Sequence, residues 1–571
     1  MRKKKEINKN QRSFFFEDFL ETNQRFKNKD NSKISEDRIL ILFFSFIFLI
    51  LSFSVKIIFV SLQETSFNNN IKKHQNSVAL RRDVVDRNGN LISRNIKSYH
   101  AAIRSSLIKD SKKLLINLKI IFPELDIKRV SENLKNKKQF YIKKRLTEHE
   151  KSKLWSLGEK GIIFEPFETR VYPNGNLFSH VMGQIDDDNY GISGVEQYFD
   201  KELRDTKKIS DPLILSLDSN LQYIMKSQLE NSLEVFKADG AAGLLMRANS
   251  GELLSLVSLP DYNINIRQDL SDKKFSNKIT NDIFELGSIF KTFTTAIALE
   301  KKIVEPDTII NGIKRKVNCS IHEIKDIKKF PESLSVEDIL IRSSNVGTLI
   351  LAQKIGKNNY KNFIDEMRIL DRSTIELTEI GTPLNFNWEK CRLETVSFGH
   401  GITTTPLQAA SAYAAIINGG LLINPTILLN RKKSNKKRLI SEETSIKVSK
   451  ILRKVVTDEE GTASLADIFG YSVAGKTGTS QYYDDKNKNI NTFISSFNVG
   501  NEKYVLLVLI DDPQIAENLI YDYRGTKIKG FRNEAGWNAV YIAGQIIKRI
   551  GPILAINNSE LEKEYVAEKI N

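Results

Sequence analysis

Three short segments place nucleophilic and cationic side chains at spacings that suit acyl transfer. The first is Ser288-x-x-Lys291, which follows Gly287 and opens an apolar, helix-forming run that extends to Glu300. Positions i and i+3 share one helix face, so the Lys291 amine can reach the Ser288 hydroxyl. A lysine can activate a serine as a base when burial or a cationic neighbour lowers its pKa. The segment therefore predicts a nucleophile at a helix start, where free N–H groups suit a developing oxyanion.

The second and third segments supply further polar groups. Ser343-Ser344-Asn345 follows an apolar stretch, although a serine-asparagine pair in a loop is by default a helix cap. The third segment, Lys476 to Thr479, lies on a predicted strand, where a glycine lets a ligand backbone approach closely and the ammonium and hydroxyl groups suit a carboxylate. A lysine at a strand end is, however, ordinarily only exposed to solvent. The candidate residues of these two segments are Ser343, Asn345, Lys476, Thr477, Gly478 and Thr479.

The serine-lysine spacing alone does not single out Ser288. The same spacing occurs at Ser106/Lys109, Ser271/Lys274 and Ser434/Lys437, in polar surroundings typical of solvated surface. Ser288 differs because a glycine precedes it, an apolar helix follows it, and the other two segments come after it in a fixed order. The conjunction of the three segments carries the prediction.

Composition disfavours several other classes of function. The formal charge of +16 comes without a nucleic-acid recognition motif, so we expect no nucleic-acid partner. The six histidines form no ligand-spaced cluster and offer the serine no evident partner, which disfavours a metal site, a cofactor and a Ser-His-Asp triad. The two cysteines, Cys319 and Cys391, could pair in an oxidising compartment or remain buried thiols.

One segment indicates the compartment. Residues 39–55 contain no charged side chain, and the 24 residues from 39 to 62 would span about 36 Å as a helix, enough to cross a bilayer. Eleven Lys or Arg precede the segment within 38 residues. The positive-inside rule then keeps the N-terminus cytoplasmic and exports the rest of the chain. We predict a single-pass anchor in the inner membrane with the catalytic part in the periplasm.

The remaining pattern predicts an α/β (α+β, multidomain) chain. Residues 1–38 are a polar tail, 39–62 the transmembrane helix, 63–205 a mixed region of strands and Lys-rich helices, 206–555 a second domain, and 556–571 a charged tail. Asn88-Gly89 predicts a hairpin turn, and residues 241–247 and 252–258 predict another hairpin. With strands predicted at 471–475, 492–499 and 503–511, the second domain has a five-stranded antiparallel sheet covered by helices.

From residue 39 to 550 the chain resembles a class B penicillin-binding protein. The three catalytic segments, in this order, are typical of penicillin-binding proteins and serine β-lactamases. The Phe-Gly-x-Gly box, Phe398 to Gly401, and the overall length are most similar to those of the division-specific, FtsI-like branch. Two departures from the family pattern are Leu286, where members often carry proline, and a looser match at 493–500. Further stretches that carry the resemblance are Arg82 to Gly89, Gly194 to Glu196, Leu217 to Gln222, Ser250 to Pro260 and Ser397 to Gln408.

The resemblance implies a peptidoglycan D,D-transpeptidase. Ser288 would attack the penultimate D-alanine carbonyl of a stem peptide with Lys291 as general base, Ser343 would relay protons, and Asn345 would orient the substrate. Lys476, Thr477 and Thr479 would bind the donor carboxylate, and the N–H groups of Ser288 and Thr479 would hold the oxyanion. β-Lactam antibiotics would acylate the same serine. The implied partners are a membrane glycan polymerase and other division proteins, with residues 63–205 as a pedestal of the dimerisation type.

Two alternatives share these residues. An elongation-specific class B transpeptidase has the same catalytic groups, and a non-catalytic β-lactam sensor would bind without turnover. A secreted β-lactamase is disfavoured, because it would leave the pedestal unexplained and no deacylating base is identifiable.

Overall fold

The computed structural model describes residues 40–58, 80–186, 188–266, 272–320, 322–430, 436–481 and 488–570. The predicted N-terminal tail and residues 39 and 59–62 of the predicted membrane helix lie outside them. Leu40–Ile58 forms helix α1, whose 19 residues are all exposed. At 1.5 Å per residue this helix is about 28 Å long, close to the thickness of a bilayer core. It belongs to a unit of its own, Met1–Ser77, and the other unit is Val78–Asn571.

The first part of the larger unit is a mixed α/β region. Its sheet has the strand order β3-β2-β1-β5, with β4 paired to β2. The helices α2 to α4 cover it with apolar side chains such as Leu114, Leu118 and Leu154. The elements are β1 (Val84–Val85), β2 (Leu91–Arg104), α2 (Ser111–Ile121), α3 (Ile127–Asn136), β3 (Gln139–Leu146), α4 (Glu148–Ser156), β4 (Ile162–Val171), α5 (Ser179–Met182), α6 (Gly194–Tyr198), α7 (Asp200–Leu203) and β5 (Leu213–Ile214).

The predicted hairpin at Asn88-Gly89 is confirmed. β1 and β2 pair antiparallel across this turn, and Gly89 has the positive φ of +80° that such turns favour. The Asp86 carboxylate accepts the N–H groups of Asn88 and Asn90 at 2.9 and 2.8 Å, which holds the turn from inside.

A buried ionic cluster joins distant parts of this region. The Glu196 carboxylate accepts hydrogen bonds from the guanidinium groups of Arg81 and Arg170, each at 2.8 Å, and all three side chains are fully buried. Burial acts to raise the pKa of Glu196, but the two guanidinium groups outweigh it and hold that pKa below its usual range. The cluster therefore ties α6 to the chain before β1 and to the end of β4.

The second part of this unit contains a helical lobe inserted between strands of one sheet. Its elements are α8 (Ser219–Phe236), β6 (Gly240–Arg247), β7 (Leu253–Leu259), α9 (Phe290–Glu300), β8 (Ile309–Asn311), β9 (Lys316–Cys319), β10 (His322–Lys325), β11 (Ser333–Ser335), α10 (Val336–Ile341), α11 (Asn345–Ile355), α12 (Lys357–Glu366), α13 (Arg392–Val396), α14 (Pro406–Ile417), β12 (Leu421–Leu422), β13 (Lys437–Arg438), α15 (Glu442–Thr457), β14 (Ala474–Gln481), β15 (Asn489–Val499), β16 (Glu502–Asp511), β17 (Ile520–Tyr523), β18 (Thr526–Lys529) and α16 (Ala539–Ile570).

The predicted five-stranded antiparallel sheet is confirmed, with the strand order β14-β15-β16-β6-β7. Every residue from Tyr504 to Asp511 on β16 is buried, so both faces of the sheet are covered. Helices α8 and α16 pack on each other and on the sheet, and α14 and α15 do the same. β14 is the edge strand of this sheet and carries the third segment, Lys476 to Thr479.

Predicted boundaries shift in the structure at several strands and at the C-terminus. The strand expected from Tyr471 begins at Ala474, because Ser472 adopts a left-handed φ of +48° that interrupts extended backbone. The charged residues predicted as a C-terminal tail continue α16 as far as Ile570.

The two cysteines form a disulfide bond in the helical lobe. Cys319, at the end of β9, is bonded to Cys391, the residue before α13, and their Cα atoms are 5.8 Å apart. Of the two states that the sequence left open, the structure has the paired one.

Candidate active site

Ser288 lies in the short 3₁₀ turn Gly287–Ile289 that leads into α9. Gly287 has a φ of +54° and forms the break that the sequence predicts before the helix. The Ser288 side chain is half-buried, and within the described parts of the chain its hydroxyl has no hydrogen-bond partner. The structure therefore presents this hydroxyl at a helix start, ready to engage an incoming group.

Lys291, one turn further along, is almost completely buried, with 1% of its surface exposed. Its Nζ donates to the carbonyl oxygen of Ser343 at 2.6 Å and to the Ser343 hydroxyl at 3.1 Å. Burial lowers the pKa of Lys291 well below its ordinary value, the nearby Lys476 lowers it further, and Asp326 acts in the opposite direction. A neutral amine next to the candidate nucleophile is thus favoured.

The Ser343 hydroxyl lies between two amines. Lys476 Nζ donates to it at 3.0 Å, which nearly equals its distance from Lys291. Ser343 has a left-handed φ of +62°, uncommon for a residue with a side chain. This backbone conformation is part of what places the hydroxyl between the two lysines.

The next two residues of the second segment have different contacts. Ser344 is the helix cap, since its hydroxyl accepts the N–H of Gly347 at 2.9 Å at the start of α11. The Asn345 side-chain amide donates to the carbonyl oxygen of Lys325 at 2.8 Å. The capping interpretation therefore applies to Ser344 alone, and Ser343 and Asn345 make other contacts.

Lys476 begins the third segment on the edge strand β14 and is completely buried. Besides Ser343, its Nζ contacts the carbonyl and hydroxyl oxygens of Thr477 at 3.2 and 3.3 Å. Burial lowers the pKa of Lys476 to about 7. The Thr477 hydroxyl also lies 2.9 Å from the Thr462 hydroxyl, whereas Thr479 is exposed. The segment can offer a cation and hydroxyl groups to an anion.

Three glycines let the backbones of separate segments approach closely. A Cβ atom on Gly287 would lie 2.5 Å from the carbonyl oxygen of Thr479, and one on Gly478 would lie 2.3 Å from that of Leu286. A Cβ atom on Gly399 would lie 2.0 Å from the carbonyl oxygen of Gly287. The backbone at Ser288 is therefore held between the third segment and the Phe-Gly-x-Gly box.

Glu285, three residues before Ser288, is hydrogen-bonded to the Phe-Gly-x-Gly box and to strand β14. Its carboxylate accepts the N–H of Gly401 at 3.0 Å and lies 3.1 Å from His400 Nδ1. The Ser480 hydroxyl donates to the Glu285 carbonyl oxygen at 2.5 Å. The hydrogen bond with Glu285 raises the pKa of His400. The sequence contains both residues within family-like stretches but does not indicate that they pair.

Another residue that the sequence does not single out is Asp326. It follows the short strand β10, is 3% exposed, and accepts the hydroxyl of Ser344 at 2.9 Å. No motif marks it, because its partners lie 18 to 20 residues further along the chain. Leu286, which replaces the usual proline, has a φ of −96°. This value lies outside the range near −65° that proline allows, so the turn differs locally from a proline turn.

The arrangement is suited to nucleophilic acyl transfer. A serine hydroxyl at a helix start lies one turn before a buried amine of lowered pKa, and a second buried lysine offers a site for an anion. The first, second and third segments meet through Lys291, Ser343 and Lys476. Thr479 lies beside Gly287, since a Cβ atom on that glycine would lie 2.5 Å from the Thr479 carbonyl oxygen and 3.3 Å from the Thr479 nitrogen.

Comparison with known proteins identifies two domains of one family in this chain. The penicillin binding protein transpeptidase domain matches residues 241–530, and the penicillin-binding protein dimerisation domain matches residues 76–212. The probable peptidoglycan D,D-transpeptidase FtsI of Caulobacter vibrioides is 30% identical over 491 residues, which cover 83% of this chain and 82% of that protein. The peptidoglycan D,D-transpeptidase FtsI of Buchnera aphidicola is 29% identical over 551 residues, covering 86% of this chain and 94% of that one.

A solved structure shows the same fold. The crystal structure of penicillin binding protein 3 from Mycobacterium tuberculosis, complexed with aztreonam, matches with a TM-score of 0.63 at 21% identity and covers 82% of this chain and 96% of that chain. The family match extends over more than half of the chain and both domains occur in the expected order. The chain therefore belongs to the FtsI-like class B penicillin-binding proteins.

Proposed function

We propose that this protein is a peptidoglycan D,D-transpeptidase that cross-links stem peptides through an acyl-enzyme at Ser288 during septal cell-wall synthesis. The observation that carries the proposal is the contact between segments: Lys291, one turn after Ser288, and Lys476, on the edge strand, both donate to the Ser343 hydroxyl. The relatives named FtsI support the activity and the role in division.

In the first half-reaction, the neutral Lys291 amine accepts the proton of Ser288 as the serine oxygen attacks the carbonyl carbon of the penultimate D-alanine. The N–H groups of Ser288 and Thr479 receive the oxyanion. When the intermediate collapses, the C–N bond breaks and the terminal D-alanine amine takes a proton through the Ser343 hydroxyl. The two lysines that donate to this hydroxyl make it a short proton path.

In the second half-reaction, an amine from a neighbouring stem peptide attacks the ester carbonyl. Its proton passes to Lys291, the ester bond to Ser288 breaks, and the serine oxygen regains a proton. The products are a cross-linked peptide and free enzyme, so atoms and protons balance over the cycle. A β-lactam enters by the same attack, but its leaving nitrogen stays tethered to the acyl group.

Substrate binding uses the third segment. Lys476 offers an ammonium group, and Thr477 and Thr479 offer hydroxyl groups, to the terminal carboxylate of the donor. Burial lowers the pKa of Lys476 to about 7, so this amine is partly neutral at neutral pH in the free enzyme. A bound carboxylate favours its cationic form. Asn345 orients the donor through its side-chain oxygen, since its amide group is held by Lys325.

The proposal extends to the placement of the chain. Helix α1 anchors the protein in the inner membrane once, with residues 1–38 in the cytoplasm and residues 63–571 in the periplasm. Within the exported part, residues 63–205 form the pedestal and 206–555 the transpeptidase domain. The partners are peptidoglycan stem peptides, β-lactams, a membrane glycan polymerase and other division proteins.

The decisive experiment compares cross-linking of purified glycan strands by the full-length protein in detergent with that by Ser288→Ala. We expect the substitution to abolish both the cross-links and stable labelling by a fluorescent penicillin. Ser106→Ala is the matched control, because it removes an exposed serine from the same spacing in the pedestal and should change neither. Labelling without cross-linking in the wild type would identify a sensor, and rapid release of hydrolysed drug would identify a β-lactamase.

Depletion in cells separates division from elongation. Loss of a division enzyme blocks the septum and yields filaments, and we expect that result. Round cells would instead assign the same chemistry to elongation.

A further inference from the structure

A buried carboxylate outside the three catalytic segments organises the second segment. Asp326 follows the hairpin of β9 and β10, and its two oxygens accept three hydrogen bonds. The donors are the Ser344 hydroxyl at 2.9 Å, the N–H of Asn345 at 2.5 Å and the N–H of Val346 at 3.2 Å. These groups form the first turn of α11, where backbone N–H groups and the helix dipole favour a negative charge. The carboxylate is thus built into the start of this helix.

The contact through Ser344 determines how Ser343 is placed. The Ser344 hydroxyl donates to Asp326 and accepts the N–H of Gly347 at 2.9 Å, so its orientation is fixed from both sides. Ser343 is the next residue towards the N-terminus and has the uncommon φ of +62°. A residue in this conformation persists only where its neighbours enforce it. Asp326 therefore helps to keep the Ser343 hydroxyl between Lys291 and Lys476.

The neighbouring residue on the hairpin orients Asn345. The carbonyl oxygen of Lys325 accepts the Asn345 side-chain amide at 2.8 Å. This contact directs the NH₂ group towards the hairpin and leaves the side-chain oxygen for an external donor such as a substrate N–H. Ser343 and Asn345, the two candidate residues of the second segment, are consequently positioned from the end of β10.

The charge of Asp326 also acts on the candidate base. Burial and the Lys476 cation lower the pKa of Lys291, and Asp326 is the group that raises it. Lys476 and Asp326 are the charged groups that act on Lys291 within the described residues. Removal of the carboxylate charge should therefore lower the pKa of Lys291 further.

The hairpin that carries Asp326 is itself anchored at both ends. At its base, the N–H of Asp326 donates to the carbonyl oxygen of Arg315 at 3.1 Å. At its tip, Cys319 is bonded to Cys391. The disulfide bond thus attaches the hairpin to the residue before α13, and the backbone hydrogen bond closes the hairpin at Asp326.

We propose that Asp326 is a positioning residue of the transpeptidase reaction: it holds Ser344 and the first turn of α11, so that Ser343 and Asn345 face the lysines and the substrate. This inference rests on the proposed function. It does not require Asp326 to touch the substrate.

The test is the pH profile of acylation by a fluorescent penicillin, measured with the full-length protein in detergent. Asp326→Asn keeps the shape of the side chain and removes its charge. We expect the second-order acylation constant to fall about tenfold because misplaced groups raise the barrier. We also expect the midpoint of the acid limb to move to lower pH, because the base loses an anionic neighbour. Asp326→Glu restores the charge and should return the acid limb to the wild-type position.

Asp338→Asn is the matched control. Asp338 accepts the Ser335 hydroxyl at 2.6 Å in the first turn of the preceding helix, α10, but it does not act on Lys291. It should change neither the rate nor the acid limb. If Asp326→Asn is acylated at the wild-type rate, or loses activity with no shift of the acid limb, the inference is wrong. If the wild type itself is not acylated, the proposed function fails instead.

A second variant covers the case in which Asp326→Asn does not fold. Ser344→Ala removes the side-chain contact through which Asp326 acts on Ser343, and keeps the carboxylate with its hydrogen bonds to the N–H groups of Asn345 and Val346. We expect slower acylation with the acid limb unchanged. A wild-type rate in Ser344→Ala would overturn the inference on its own.

Discussion

The protonation of Lys476 makes acylation sensitive to pH near neutrality. This amine is completely buried, and burial lowers its pKa to about 7. A carboxylate-bearing β-lactam needs the cationic form for its charge-assisted hydrogen bond. Because the cation is lost as the pH rises through the pKa, the alkaline limb of acylation should have its midpoint near pH 7 rather than near pH 10.

The size of the effect follows from the pKa. About nine tenths of Lys476 is cationic at pH 6 and about one tenth at pH 8, so the second-order acylation constant should fall roughly tenfold between them. Burial and the Lys476 cation both lower the pKa of Lys291, which favours the neutral form of this base. Once the carboxylate is bound it stabilises the ammonium group, so the limb measured at saturating drug lies at higher pH.

The assay is stopped-flow or gel-based labelling by benzylpenicillin or its fluorescent derivative from pH 5 to 9, with circular dichroism to verify the fold at each pH. Lys476→Met is the control. Loss of a hydrogen bond to a charged group, about 1.5–3 kcal/mol, should slow its acylation about 10–100-fold at pH 6. Its alkaline limb should disappear, and its acid limb should move to higher pH. The reasoning is refuted if wild-type acylation is constant from pH 6 to 8, or if Lys476→Met keeps the same alkaline limb.

Two further predictions concern the framework of the site. Gly399→Ala should reduce labelling by fluorescent penicillin more than tenfold, because its Cβ would lie 2.0 Å from the Gly287 carbonyl oxygen. Gly356→Ala, at a similar φ of +81° with nothing within 4 Å, should cost about 1–3 kcal/mol of stability and keep full labelling. Replacing Cys319 and Cys391 together by serine should lower the free energy of unfolding by up to about 4 kcal/mol, since the bond spans 72 residues. Adding a reductant to the wild type should lower its melting temperature by as much as the double substitution does. If neither change lowers the melting temperature, the prediction is wrong.

Local patterns were sufficient to predict much of the fold. The turn at Asn88-Gly89 and the hairpin of β6 and β7 depend on residues close in sequence, and both are present. The order of strands in the large sheet depends on distant pairing, such as that of Gly240 with Asp511. Composition does not encode this register, and the sequence predicted five antiparallel strands without their order in the sheet. The late start of β14 was missed because Ser472 adopts a left-handed conformation that no local residue type announces.

Within the site, the sequence identified chemical groups better than the contacts that hold them. Ser288 and Lys291 lie within one helical turn, so their proximity follows from spacing. Asp326 was missed because a short strand followed by an aspartate is typical of an exposed loop. Its burial depends on a tertiary contact with the start of α11, which the sequence around residue 326 does not indicate.

Three glycines show how the motif pattern indicates that distant stretches of the chain meet. Gly287 precedes Ser288, Gly399 lies in the Phe-Gly-x-Gly box, and Gly478 lies in the third segment. These stretches are far apart in the chain, yet each glycine allows a backbone contact with another stretch that a Cβ atom would prevent. A chance serine-lysine pair such as Ser106/Lys109 lacks these companions. These glycines therefore indicate that the three stretches of chain meet. Together they are stronger evidence for one site than the reactive serine and lysine alone.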